Sequence, residues 1–140
     1  LVGSEMCIRD REEVEMTVDS GAGETVIGED SLQCVKTVDG EAKRRGVMYE
    51  VADGTRISNL GEKRFVAVTA EGHRRGIVAQ VCDVTKPLLS VRRVVEKGGT
   101  VVFMKGGGYI EDAQGERIWM EEKQGMYIVR IWVKRDGAPF

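Results

Sequence analysis

The residues of this chain best suited to chemistry by type and spacing are Asp19-Ser20-Gly21-Ala22-Gly23. A carboxylate is followed by a hydroxyl and then by residues with little or no side chain. Small residues let two backbones approach closely while a carboxylate is held at the end of a strand. Ser20 can hydrogen-bond across such an approach and fix the loop. An Asp-Ser/Thr-Gly tripeptide arises by chance in roughly one chain of this length in twenty, so the tripeptide alone decides little. Its flanks carry more weight. Glu13-Val14-Glu15-Met16-Thr17-Val18 alternates polar and apolar as a half-buried strand does, and Thr25-Val26-Ile27 follows the turn.

Other chemistries find no comparable footing. Cys7, Cys34 and Cys82 have no close spacing, and with the single histidine His73 they do not make a zinc site of paired Cys/His clusters. No metal or other cofactor is expected, and the thiols read as reduced, semi-buried side chains of a cytosolic environment. Gly106-Gly107-Gly108 lacks the Lys-Ser/Thr and the helix start of a phosphate loop, so a plain turn is expected. His73, in a Gly-His-Arg turn, reads as an exposed hairpin residue. Lys43-Arg44-Arg45, Arg74-Arg75 and Arg92-Arg93 are short basic runs suited to solvated faces. Net charge is -2 over 140 residues and aromatics are 6%, which argues against a nucleic-acid groove lined with cations and stacking rings. Apolar runs such as Val101–Met104 are far shorter than the ~20 residues needed to span a bilayer. Glu5 and Arg9-Asp10-Arg11 interrupt the start before a secretory apolar core forms.

The elements that must position Asp19 read as mainly β. Eighteen glycines against two prolines suit many short strands joined by tight turns. Val47–Ala52 and Thr55–Leu60 flank Asp53-Gly54, a two-residue turn pair that closes a hairpin. Arg64–Thr69 and Arg75–Val84 flank a second turn at Ala70-Glu71-Gly72-His73. Residues 28–46 are polar and irregular, as in a loop or short edge strand. One helix is expected, with Pro87 in its first turn, Leu88, Leu89, Val91, Val94 and Val95 on one face, and Gly98-Gly99 as its stop. Thr100–Met104, Tyr109–Asp112, Arg117–Met120 and Met126–Val133 complete the strands. The expected fold class is all-β with one short helix.

The stretch Met16-Thr17-Val18-Asp19-Ser20-Gly21-Ala22-Gly23-Glu24-Thr25-Val26-Ile27 closely resembles the active-site segment of retroviral-type aspartic proteases, the retropepsins. Gly72–Val81 is similar to the family's late hairpin strand. Lys86-Pro87-Leu88-Leu89-Ser90 stands where the family has the helix after its hydrophobic-hydrophobic-Gly turn. Pro87–Val91 through Val101-Val102-Phe103, with Gly106–Ile110, resembles the corresponding part of Copia-type retrotransposon polyproteins. The likeness covers roughly residues 13–110. One departure is the second Gly of the family, for which this chain has Val84-Thr85-Lys86.

The resemblance implies an acid-protease fold, a retropepsin-like closed β-barrel. Residues 1–11 carry no helical or strand period and are read as a non-native leader; the resemblance then implies a protease domain over 12–104 and a C-terminal β extension and linker over 105–140. Asp19 is the implied catalytic residue, with Ser20, Gly21 and Ala22 supporting its loop and no metal. Such an enzyme needs two carboxylates sharing one proton, because like charges so close do not both ionise. The ionised member acts as general base on water, and the protonated one polarises the scissile carbonyl. Asp39-Gly40, Asp53-Gly54 and Asp136-Gly137 lack the intervening residue, and the chain is too short for two lobes. The second carboxylate must therefore come from a second copy, giving a C2 homodimer. The hairpin at Ala52, Asp53, Gly54 and Thr55 is the candidate flap over an extended polypeptide substrate. No membrane or nucleic-acid partner is implied, and the setting is cytoplasmic or within a retrotransposon particle. The alternative is a catalytically inactive dimerisation or peptide-binding module on the same fold.

Overall fold

The computed structural model describes residues 10–51 and 53–136, and these are mainly β. The leader read over 1–11 falls outside them as far as residue 9, as do Ala52 and residues 137–140 of the expected linker. Arg11 opens the first strand, β1 (Arg11–Asp19), and pairs with Lys134. The strands that follow are β2 (Val26–Ile27), β3 (Met48–Glu50), β4 (Arg56–Ser58), β5 (Gly61–Thr69) and β6 (Arg74–Val81). After them come β7 (Leu88–Ser90), β8 (Thr100–Met104), β9 (Gly107–Glu111), β10 (Arg117–Lys123) and β11 (Met126–Lys134). Among the described residues there are also two short helices, α1 (Glu41–Arg44) and α2 (Val91–Glu96).

Nine of the strands form one sheet in the order β1-β7-β2-β6-β5-β11-β10-β9-β8. Because β11 also pairs with β1, hydrogen bonding runs round a circuit of six strands, β1-β7-β2-β6-β5-β11. Strand alternation fills the space inside. Val14, Met16 and Val18 of β1 meet Ile131 and Val133 of β11, Phe65 and Ala67 of β5, and Ala79 and Val81 of β6. Burying aliphatic side chains of this size contributes roughly 1.5–3 kcal/mol each.

Both expected hairpins form. β3 and β4 pair antiparallel around Asp53-Gly54, where Gly54 has φ +86°, and β5 pairs with β6 across Ala70–His73. The boundary drawn after Met104 falls in the turn between β8 and β9, and the stretch beyond it supplies β9, β10 and β11. Gly106 takes the turn with φ +83°, while Gly107 and Gly108 belong to β9.

Two expectations are corrected. The one expected helix is shorter at its start: Leu88-Leu89-Ser90 is strand, and α2 begins at Val91. Leu88 faces Thr17 in β1 and Val26 in β2, and the Thr17 N–H donates to the Pro87 carbonyl at 3.0 Å. Two ladders to neighbouring strands outweigh the helical spacing of these apolar residues. The polar stretch 28–46 holds α1, and it also sends the buried side chains of Leu32 and Val35 into the core. Lys63, 2% exposed on β5, ties this segment down by donating from Nζ to the carbonyls of Ser31 and Leu32, each at 2.8 Å.

Candidate active site

Asp19 is the last residue of β1, where the alternation that buries Val14, Met16 and Val18 runs out and the chain leaves the sheet. Its carboxylate Oδ1 accepts the Gly21 N–H at 2.7 Å, which anchors the side chain over its own turn. Gly21 leaves room for this carboxylate. A Cβ there would stand 3.3 Å from Asp19 Oδ1, tighter than an ordinary contact. Asp19 is half-buried, whereas Ser20, Gly21 and Gly23 lie exposed at the loop surface.

The loop is positioned by β7. This strand runs parallel to β1 and antiparallel to β2, so it lies between the two strands that the Asp19 loop connects. Asp19 and Ser90 are register partners at the end of the β1–β7 pair. The loop thus closes over the point where β7 becomes α2. Ser90 is fully buried there; its Oγ donates to the Ala22 carbonyl at 2.7 Å and accepts the Arg93 N–H at 3.2 Å, capping α2. The Ser90 N–H in turn donates to Thr25 Oγ1 at 3.1 Å. From α2, Arg93 reaches both carboxylate oxygens of Glu24, with Nε 2.9 Å from Oε2 and Nη2 paired to Oε1.

Ser90, Thr25, Glu24 and Arg93 are site residues that sequence reasoning missed. The signal available was local: a Ser three residues before Arg93, with Gly98-Gly99 beyond, marks a helix start at Ser90. The support beneath the loop comes from Leu88–Ser90 and not from Val84-Thr85-Lys86, where Thr85 is exposed.

A groove of about 540 Å³ adjoins the loop. Its lining includes Thr25, Leu89 and Ser90, Ile77 and Gln80 of β6, and Tyr49 of β3. Asn59 Nδ2 donates to Tyr49 Oη at 2.9 Å and to Gln80 Oε1 at 2.8 Å, fastening the β3–β4 hairpin to β6. Burial raises the Tyr49 phenol above its ordinary value, so it stays a neutral hydroxyl at the groove. At the hairpin tip Asp53 Oδ1 accepts the Thr55 N–H at 2.8 Å, and Val51 and Gly54 close the turn with a 2.9 Å backbone bond. Ala52 lies outside the described residues. Asp53, Gly54 and Thr55 are all exposed, at the far end of the hairpin from the Tyr49–Asn59–Gln80 fastening.

His73 sits on the β5–β6 turn with Nδ1 3.1 Å from Glu116 Oε2, in a cluster with Arg75 and Asp112. Cys34 and Cys82 are free thiols, and burial pushes the Cys82 thiol up. Among the described residues no group of three or more His, Cys, Asp or Glu side chains could hold a metal ion. No described helix is long and apolar enough to cross a membrane. The chain matches no protein-family model, no curated protein and no solved structure.

Proposed function

We propose that this chain is one half of a retropepsin-like aspartic endopeptidase that cuts a retrotransposon polyprotein. One observation carries the reading. Asp19 stands at the end of β1 beside Ser90, on a small-residue loop closed over the end of a strand inserted between β1 and β2. The circuit of six strands supports a retropepsin-like closed barrel beneath that loop. The exposed Ser20, Gly21 and Gly23 present backbone that a second copy can approach.

In the homodimer, Asp19 and the partner's Asp19 face each other across the two-fold axis. One carboxylate takes a proton from water as the water attacks the peptide carbonyl. The other, protonated, donates a hydrogen bond to that carbonyl and then passes its proton to the departing amine. An extended polypeptide lies in the groove beside Thr25 and Leu89, under the β3–β4 hairpin acting as flap. By the same resemblance the enzyme works in the cytoplasm or inside a retrotransposon particle.

The test is cleavage of a mixed peptide library at about pH 5 over a range of protein concentrations, with Asp19→Asn alongside. Cleavage that rises with dimer concentration and vanishes in Asp19→Asn supports the reading. A folded wild-type protein that cuts nothing at high concentration overturns it, in favour of the inactive dimerisation or peptide-binding module.

A further inference from the structure

We infer that the Ser90 hydroxyl is a positioning group: it locks the Asp19 loop to α2 and so sets where the carboxylate stands. The inference rests on the endopeptidase reading for its catalytic consequence, but its structural half stands alone.

The loop has few internal restraints. Ser20, Gly21 and Gly23 are exposed, and Asp19 itself supplies the acceptors for the Gly21 and Ala22 N–H groups. Its holds at Ala22 and Glu24 both come from one short segment. Ser90 Oγ grips the Ala22 carbonyl while the same oxygen caps α2 through the Arg93 N–H. Arg93, on that helix, clasps Glu24 two residues further along the loop. One buried hydroxyl therefore joins two things that must keep a fixed relation, the loop bearing the carboxylate and the helix bearing its second clamp.

Two carboxylates that share a proton must stand within a single hydrogen bond of each other. A displacement of about 1 Å at such a site can cost on the order of 100-fold in rate. Glycine or alanine at position 90 would leave the Ala22 carbonyl and the Arg93 N–H without this partner and let the loop drift from the helix. Of the groove lining only the Ser90 hydroxyl itself would be lost; Ile77, Gln80 and Tyr49 stay as they are.

The experiment compares wild type, Ser90→Ala, Ser90→Thr and Arg93→Met at protein concentrations that saturate dimerisation. In Ser90→Ala, kcat is expected to fall roughly 10- to 100-fold with KM within about threefold, and Ser90→Thr, which keeps the hydroxyl, to recover part of the loss. Amide exchange with water, read by NMR, is expected to speed up more than about tenfold at Gly21 and Ala22, with the Thr69 amide of the β5–β6 turn unchanged. Arg93→Met, altering an exposed side chain that does not threaten folding, is expected to loosen the same two amides. Unchanged exchange at Gly21 and Ala22, or an equal rise at Thr69, overturns the inference. So does a loss confined to KM. If the wild type cleaves nothing, the endopeptidase reading fails, and the exchange rates still decide whether Ser90 holds the loop. If Ser90→Ala does not fold, Arg93→Met decides by the same amides.

Discussion

Asp19 and Ser90 are 71 positions apart in sequence and directly paired in space, as the last register partners of the parallel β1–β7 ladder. The pairing keeps the carboxylate at a strand end while its loop remains exposed. Replacing Asp19 by Asn keeps an oxygen that can accept the Gly21 N–H. The urea midpoint of Asp19→Asn is therefore expected to correspond to a stability within about 0.5 kcal/mol of wild type. A loss of more than about 2 kcal/mol would show Asp19 to be a structural turn residue, and any lost cleavage would then report misfolding.

Lys63 is expected to be a structural cation. Burial lowers its pKa, yet its ammonium is satisfied by the carbonyls of Ser31 and Leu32. Leu32 is fully buried in a left-handed conformation, φ +54°, and its N–H donates to Glu12 Oε2 at 3.1 Å. Lys63→Met removes the donor and leaves those carbonyls unpaired, at a cost of about 1–3 kcal/mol. Equilibrium urea unfolding measures it; an unchanged midpoint would mean that water replaces the ammonium without loss.

Deleting residues 105–140 is expected to unfold the chain. Strand β11 pairs with β1 from Thr17↔Ile128 to Arg11↔Lys134 and with β5 at Thr69, Val68 and Ala67. Its buried Val129, Ile131 and Val133 belong to the same core as Met16 and Phe65. Removing it opens the six-stranded circuit and exposes two strand edges. Dispersed amide signals from the shortened chain would contradict this and would restore a domain ending near Met104.

Stability is expected to fall in acid through surface carboxylates. The Lys123 hydrogen bond holds Glu15 below its ordinary pKa, and Lys43 does the same for Asp39. At Asp112, desolvation pulls upward, but the Glu116 and Gln114 N–H groups, with Arg75, bring the carboxyl down overall. A carboxylate whose folded pKa lies below its unfolded one stabilises the fold above the unfolded value. That contribution fades as pH drops through about 4 and below. The melting temperature should therefore hold down to about pH 5, where peptide cleavage is assayed, and decline beneath it. The decline should be shallower in Asp112→Asn. A decline already complete above about pH 6 would show that acid unfolding is not driven by these carboxylates.

What was legible in the sequence is local. The alternation of Val14, Met16 and Val18 marks β1, Asp53-Gly54 marks a hairpin, Gly98-Gly99 stops a helix, and Asp19–Gly23 marks a turn that holds a carboxylate. Each of these needs only a few neighbours along the chain, through backbone conformation or strand and helix period. Tertiary structure alone decided the rest. Leu88–Ser90 carries a helix-like spacing and becomes strand because Thr17 and Val26 offer it hydrogen-bonding partners on both sides. The polar stretch around Leu32 enters the core because a lysine from β5 donates to its carbonyls. β11 closes the circuit only because β1 and β5 both present free edges to it. Ser90 reaches Ala22 for the same reason: the contact exists between strands paired in space, and no pattern within either segment encodes its partner.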